Sequence, residues 1–329
     1  MLKHLLRGLI LIPLVMIAVA GGILIFTAPK APPLIAAVEK ANDPFARFSR
    51  ELPAYHYLTA RDGGKLAYHI YAGRPGGGVA VLVHGSSGTS LAVHGLAKAY
   101  AARGITVYAP DLRGHGMSPG PNGRLGDIVY RGQYEDDLDD LVKLIKREHP
   151  GEKRLLVGHS MGGAVILRTA ASHYAGNFNG YLALSPFIAP NTPMDRPSQG
   201  GWTVVSVPRI VVLTILNRFG MSALDHLTVL AMAVLENDNQ RPRTYSHALL
   251  ASANLQQDWQ ARLAAIRQPT RILIGANDEL FTASAYPVEI GKANPKIAVT
   301  ILPDQGHMTL MFDEKALAMA TDTAVDMLR

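Results

Sequence analysis

From residue 55 onward, short apolar runs alternate with longer segments whose apolar residues recur at helical spacing. Residues 55–58 and 65–71 read as two strands joined by a turn at Asp62-Gly63-Gly64. Residues 79–83 are continuously apolar between Gly-rich loops, the pattern of a strand buried on both faces. A helix is predicted over 91–102, a strand over 106–109 and a helix over 134–149. The last is the most sharply drawn. Tyr134, Leu138, Leu141, Val142 and Ile145 share one face, and Pro150-Gly151 stops it. The apolar run Leu155-Leu156-Val157 precedes a further helical run through Ala164-Val165-Ile166-Leu167. Strands over 181–184, 271–275 and 297–302, with helices near 283–293 and 315–328, continue the rhythm. Such alternation predicts an α/β protein whose mostly parallel sheet is covered by helices on both faces.

Two segments depart from that rhythm. Residues 186–247 are first irregular and then strongly apolar, over 204–216 and 227–235, with no strand–helix alternation. They read as an insertion after the sixth core strand. Residues 8–28 carry no charge and are rich in Leu, Ile and Val. That is long enough to cross a hydrocarbon core of roughly 30 Å as a helix. Lys3 and Arg7 stand on one side and Lys30 on the other, so the positive-inside bias predicts a cytoplasmic N-terminus and an extracytoplasmic domain. Ala18-Val19-Ala20 offers a signal-peptidase site, which would make the mature protein secreted. The apolar run continues through Ile23-Leu24-Ile25-Phe26, which favours an uncleaved anchor. The expected organisation is an anchor or signal over 1–29, a Pro-rich tether over 30–54, and one domain over 55–329.

Composition narrows the chemistry. The chain has no cysteine, which excludes disulfides and thiolate catalysis. Its net charge of +6 is spread thinly. Lys143, Lys146 and Arg147 share a helix with Glu135, Asp136, Asp137, Asp139 and Asp140, a solvated amphipathic face and not a nucleic-acid site.

Candidate chemistry centres on Gly158-His159-Ser160-Met161-Gly162, a Gly-x-Ser-x-Gly between a strand and a helix. In that setting the motif forms a nucleophile elbow, a tight turn that exposes the serine hydroxyl at the sheet edge. A serine hydroxyl needs a base to take its proton, and the base needs a third group to hold it. Asp278 and His307 each follow a predicted strand, at the edge where ligands bind in open α/β sheets. The order Ser160, Asp278, His307 is that of α/β-hydrolase triads. His84-Gly85-Ser86-Ser87-Gly88 directly follows the strand over 79–83, and the backbone N–H groups of Ser86 and Met161 are the candidate oxyanion hole. Losing one such donor raises the barrier by about 2.7–4 kcal/mol. His84 and His159 lie within the turns themselves and are read as packing residues.

The chain resembles the α/β-hydrolase superfamily, and within it the monoacylglycerol-lipase or lysophospholipase-like group. The resemblance rests on His84-Gly85, the run from Asp111 through Arg113-Gly114-His115-Gly116 to Ser118, Gly158–Gly163, Gly275-Ala276-Asn277-Asp278 and Gly306-His307. It implies a Ser160–Asp278–His307 triad, a helical cap over 186–247, and a structural role for the 111–118 loop. The expected activity is hydrolysis of carboxylic esters, lipid esters such as monoacylglycerol or lysophospholipid first among them, with neither metal nor organic cofactor. A peptidase, an amidase or an acyltransferase could use the same triad. A non-catalytic membrane-anchored binding module is the reading furthest from it.

Overall fold

The structure, a computed structural model, describes residues 2–34, 51–196, 201–235 and 238–329. Most of the expected tether, and two short pieces of the insertion, lie outside the described residues. The first helix, α1, spans Leu2–Phe26. Strands β1 (Tyr55–Thr59), β2 (Lys65–Tyr71) and β3 (Val79–Val83) open the domain. Then come α2 (His94–Ala102), β4 (Thr106–Pro110), α3 (Gln133–Glu148), β5 (Arg154–His159), α4 (Met161–Ala170) and β6 (Gly180–Leu184).

These strands belong to one eight-stranded sheet, together with two later strands numbered below. β1 pairs antiparallel with β2, and β2 antiparallel with β4. From β4 the neighbours run β3, β5 and β6, all parallel. Every residue of β3 and β6 is buried, as expected of strands covered on both faces. Alternate residues feed two separate cores. Val81, Leu156 and Ala183 pack under α3 and α4, while Leu82, Val157 and Leu182 pack under α2.

The insertion departs from the helical cap expected of it. Its strands β7 (Thr203–Val205), β8 (Thr228–Met232) and β9 (Thr244–Ser246) form a small antiparallel sheet, with α5 (Val207–Arg218) between the first two. The apolar run over 204–216 is thus part strand and part helix, divided at Ser206-Val207-Pro208. Pro208 fits the first turn of a helix, where its missing N–H is not needed. The chain returns to the core through α6 (His247–Ser252), α7 (Trp259–Ala265) and β10 (Thr270–Gly275). Next come α8 (Ala285–Ala293), β11 (Ala298–Leu302) and α9 (Glu314–Leu328). β10 joins β6 and β11, both in parallel, which completes the sheet.

The expected membrane span gains no support from the fold. Among the described residues, no helix is long and apolar enough to cross a membrane. The end of α1 packs on α5. There the Arg209 guanidinium donates to the carbonyls of Leu24 and Thr228, and the Ser206 hydroxyl lies 3.3 Å from that of Thr27.

Candidate active site

Ser160 stands between the last residue of β5 and the first of α4, at φ 54 and ψ −117. A non-glycine residue rarely adopts such a backbone, and strain of this kind concentrates at functional sites. The flanking glycines explain how the turn is possible. A Cβ on Gly158 would lie 2.3 Å from the Gly162 carbonyl oxygen, and one on Gly162 would lie 2.4 Å from that of Val83. Only glycine lets β5, α4 and β3 approach this closely. Ser160 is buried, with 8% of its surface exposed.

Asp278 and His307 follow β10 and β11, and the parallel register of those strands brings the two loops together. His307 Nδ1 lies 2.9 Å from Asp278 Oδ2. The other carboxylate oxygen of Asp278 accepts the N–H groups of Leu280 and Phe281, each at 2.9 Å. Burial pushes the Asp278 pKa up, but the adjoining His307 and these donors prevail and hold it below the usual carboxylate range. The carboxylate therefore accepts the Nδ1 proton, which leaves Nε2 of His307 with a free lone pair. Among the described residues no hydrogen bond joins Ser160 Oγ to that nitrogen. Catalytic contacts of this kind often close only when substrate is bound.

The residue before the nucleophile ties the two parts together. His159 Nε2 donates to the His307 carbonyl at 3.0 Å, and the two rings lie 4.7 Å apart. Burial lowers the His159 pKa to about 3, so this ring stays neutral and structural.

The loop after β3 lies against the serine. A Cβ on Gly85 would sit 3.1 Å from Ser160 Cβ, so the loop passes directly over the nucleophile. Gly88 N–H donates to the Gly85 carbonyl at 3.1 Å, closing a four-residue turn through Ser86 and Ser87. His84 secures the base of this turn. Its Nδ1 donates to the Gly85 carbonyl at 2.9 Å and its Nε2 accepts the Leu112 N–H at 3.0 Å. Among the described residues, no protein acceptor takes the N–H of Ser86 or of Met161. Both of these sequence-predicted donors thus lie on segments that meet at Ser160. The 111–118 loop is structural, as expected. Buried Asp111 accepts the N–H groups of Ser90 and Met117, at 2.7 and 2.8 Å, and joins the loops that follow β3 and β4.

A mostly parallel sheet, a strained serine at the end of its fifth strand and an Asp–His pair at the same edge define an α/β-hydrolase. The model of the family described as "Serine aminopeptidase, S33" matches residues 75–314, and the chain belongs to that family. A monoacylglycerol lipase of Mycolicibacterium smegmatis is 31% identical over 134 residues, 40% of this chain and 46% of that protein. The human monoglyceride lipase is 32% identical over 108 residues, 33% of this chain and 34% of the relative. The chain is thus matched to less than half the length of either relative. The crystal structure of a soluble variant of the Saccharomyces cerevisiae monoglyceride lipase superposes with a TM-score of 0.66 at 17% identity. That likeness covers 84% of this chain and 94% of the other.

The sequence offered no sign that one group of residues meets at this site. Ser87, His115, Arg241 and Tyr245 hydrogen-bond to one another or to neighbouring backbone beside the elbow. Arg241 and Tyr245 arrive from the cap, Tyr245 on β9, from a stretch in which the sequence pattern predicts no strand.

Proposed function

We propose that the protein is a serine hydrolase that cleaves carboxylic esters through a covalent acyl-enzyme on Ser160. The observation that carries this reading is the 2.9 Å pair of His307 Nδ1 and Asp278, at the same sheet edge as a serine held at positive φ. His307 Nε2 removes the Ser160 proton as Oγ attacks the ester carbonyl, and Asp278 stabilises the imidazolium that forms. The N–H groups of Ser86 and Met161 receive the charge that develops on the carbonyl oxygen. The C–O bond breaks, the leaving alcohol takes the proton from His307, and water cleaves the acyl-enzyme by the same steps.

The substrate class proposed is a lipid ester such as a monoacylglycerol or a lysophospholipid. The relatives' names favour it. So does the cap, which leaves Val204, Val205, Val207, Val211, Ile215 and Phe219 exposed. The uncharged run over 8–28 supports an N-terminal anchor, with the N-terminus in the cytoplasm and the catalytic domain outside. Cleavage after Ala20 would instead release the domain, and fractionation of the full chain separates the two.

A second reading, peptidase or amidase, is favoured by the description of the matching family. One experiment addresses both. A fluorophosphonate probe should label Ser160 in the full chain and leave Ser160→Ala unlabelled. A panel of monoacylglycerols, lysophospholipids, short p-nitrophenyl esters and aminoacyl amides then ranks the substrates. Absence of label on Ser160 would sink the catalytic reading, and a preference for amides would overturn the ester.

A further inference from the structure

The cap segment between β8 and α6 grips one residue of the loop over the nucleophile by every polar group that residue has. The Ser87 N–H donates to the Tyr245 hydroxyl at 2.7 Å. The Ser87 hydroxyl donates to the Pro242 carbonyl at 2.8 Å, and the Ser87 carbonyl accepts from Arg241 Nε at 2.6 Å. Ser87 needs such a grip because its φ is 52, a left-handed conformation that a serine adopts only when its surroundings impose it.

Tyr245 is itself held in one orientation. His115 Nδ1 lies 3.1 Å from the Arg113 carbonyl and must donate to it, so the opposite nitrogen, Nε2, is an acceptor. That nitrogen takes the Tyr245 O–H at 2.8 Å. The tyrosine proton is thereby committed to His115, and the oxygen lone pairs turn toward the Ser87 N–H. Tyr245 is 1% exposed and His115 is fully buried, so water does not compete for either bond. Tyr245 also touches the other side of the site, with its oxygen 3.7 Å from the sulfur of Met161.

From this arrangement we propose that Tyr245, seconded by Arg241, is a positioning residue of the oxyanion hole, and that through it the cap sets the direction of the Ser86 N–H. The inference rests on the serine-hydrolase reading and adds to it a dependence of the chemical step on the cap. Ser86 N–H belongs to the same four-residue turn as Ser87 and is one peptide removed from the gripped N–H. If Tyr245 lets go, the strained turn relaxes, and a donor aimed at the developing oxyanion is lost or misdirected. Ground-state binding does not use that donor in the same degree, so the damage falls on turnover.

The test is Tyr245→Phe in the full chain, assayed on p-nitrophenyl butyrate. Removing one oxyanion donor outright lowers kcat by about 100- to 1,000-fold. Misdirecting it should lower kcat by about tenfold or more, with KM within about twofold. An alkyl boronic acid, which becomes tetrahedral on the serine, should bind more weakly by the same factor as kcat falls. A fatty-acid product should bind as before. A merely structural tyrosine would not separate those two inhibitors. His115→Gln, which changes the partner that orients the hydroxyl, should show the same signature more weakly, and it supplies the readout if the Phe variant does not fold. Unchanged kcat and unchanged boronic-acid affinity in a folded variant would overturn the proposal. Failure of the underlying reading appears elsewhere, in a wild-type chain whose Ser160 does not react with the fluorophosphonate.

Discussion

At Gly158 and Gly162 there is no room for a methyl group, whereas along α5 of the cap Val207, Val211 and Ile215 are exposed to solvent. The two regions obey different constraints. Around Ser160 three backbones cross within van der Waals contact, so residue type follows from space. In the cap a three-stranded sheet and one helix need only cover the core on one side, and their outer residues answer to whatever lies outside. A single carbon at the elbow should therefore be felt throughout the domain, while several changes on the outer cap should be felt only by the substrate.

The sharpest way to break that contrast is Gly162→Ala. Its Cβ would meet the carbonyl oxygens of Val83 and His84 at 2.4 and 2.5 Å, and backbone cannot swing aside as a side chain can. We expect a loss of stability of about 2–3 kcal/mol, read from the urea midpoint. Gly176→Ala, at a position with open space around it, should change stability by less than about 0.5 kcal/mol.

A separate effect concerns protons. His159 at the elbow has its pKa lowered to about 3, and burial also holds that of His115 well below the ordinary 6.5. Between those limits the unfolded chain binds protons that the folded chain refuses. Stability therefore rises with pH across the window and is lost as pH falls from about 6.5. Each such histidine contributes a slope of about 1.4 kcal/mol per pH unit. Thermal midpoints from pH 7 to pH 5 should fall steadily, and His159→Gln should flatten the slope.

The smallest effect is reserved for the outer cap. The double substitution Val211→Ser with Ile215→Ser should lower hydrolysis of dispersed long-chain monoacylglycerol by about threefold to tenfold, in line with two lost apolar contacts. Hydrolysis of soluble p-nitrophenyl butyrate should stay within about twofold. Equal losses on both substrates would place these residues in the fold and not in substrate access.

Much of the core was legible because its signals are local. The continuous apolar run of β3, the single apolar face of α3 and the glycines around Ser160 each state their burial within a few residues. The cap was less legible for a physical reason. An apolar run satisfies a buried strand and a packed helix equally well, and over residues 204–216 only Ser206 and Pro208 mark the change from β7 to α5. The candidate site divides in the same way. Ser160, Asp278 and His307 follow strands and could be named from position, and Ser86 and Met161 follow from the turns beside them. Tyr245 could not be named.

What the sequence determined alone was the chemistry available, the order of its carriers and the elbow, because a turn that excludes every side chain but hydrogen writes itself as glycine. What only the tertiary structure decided was which distant groups meet. The register of β10 beside β11 sets Asp278 2.9 Å from His307 across 29 positions of chain. The return of the cap brings Tyr245 to Ser87 across 158. Hydrogen bonds formed over such separations depend on how finished layers stack, and no local pattern of residues encodes that.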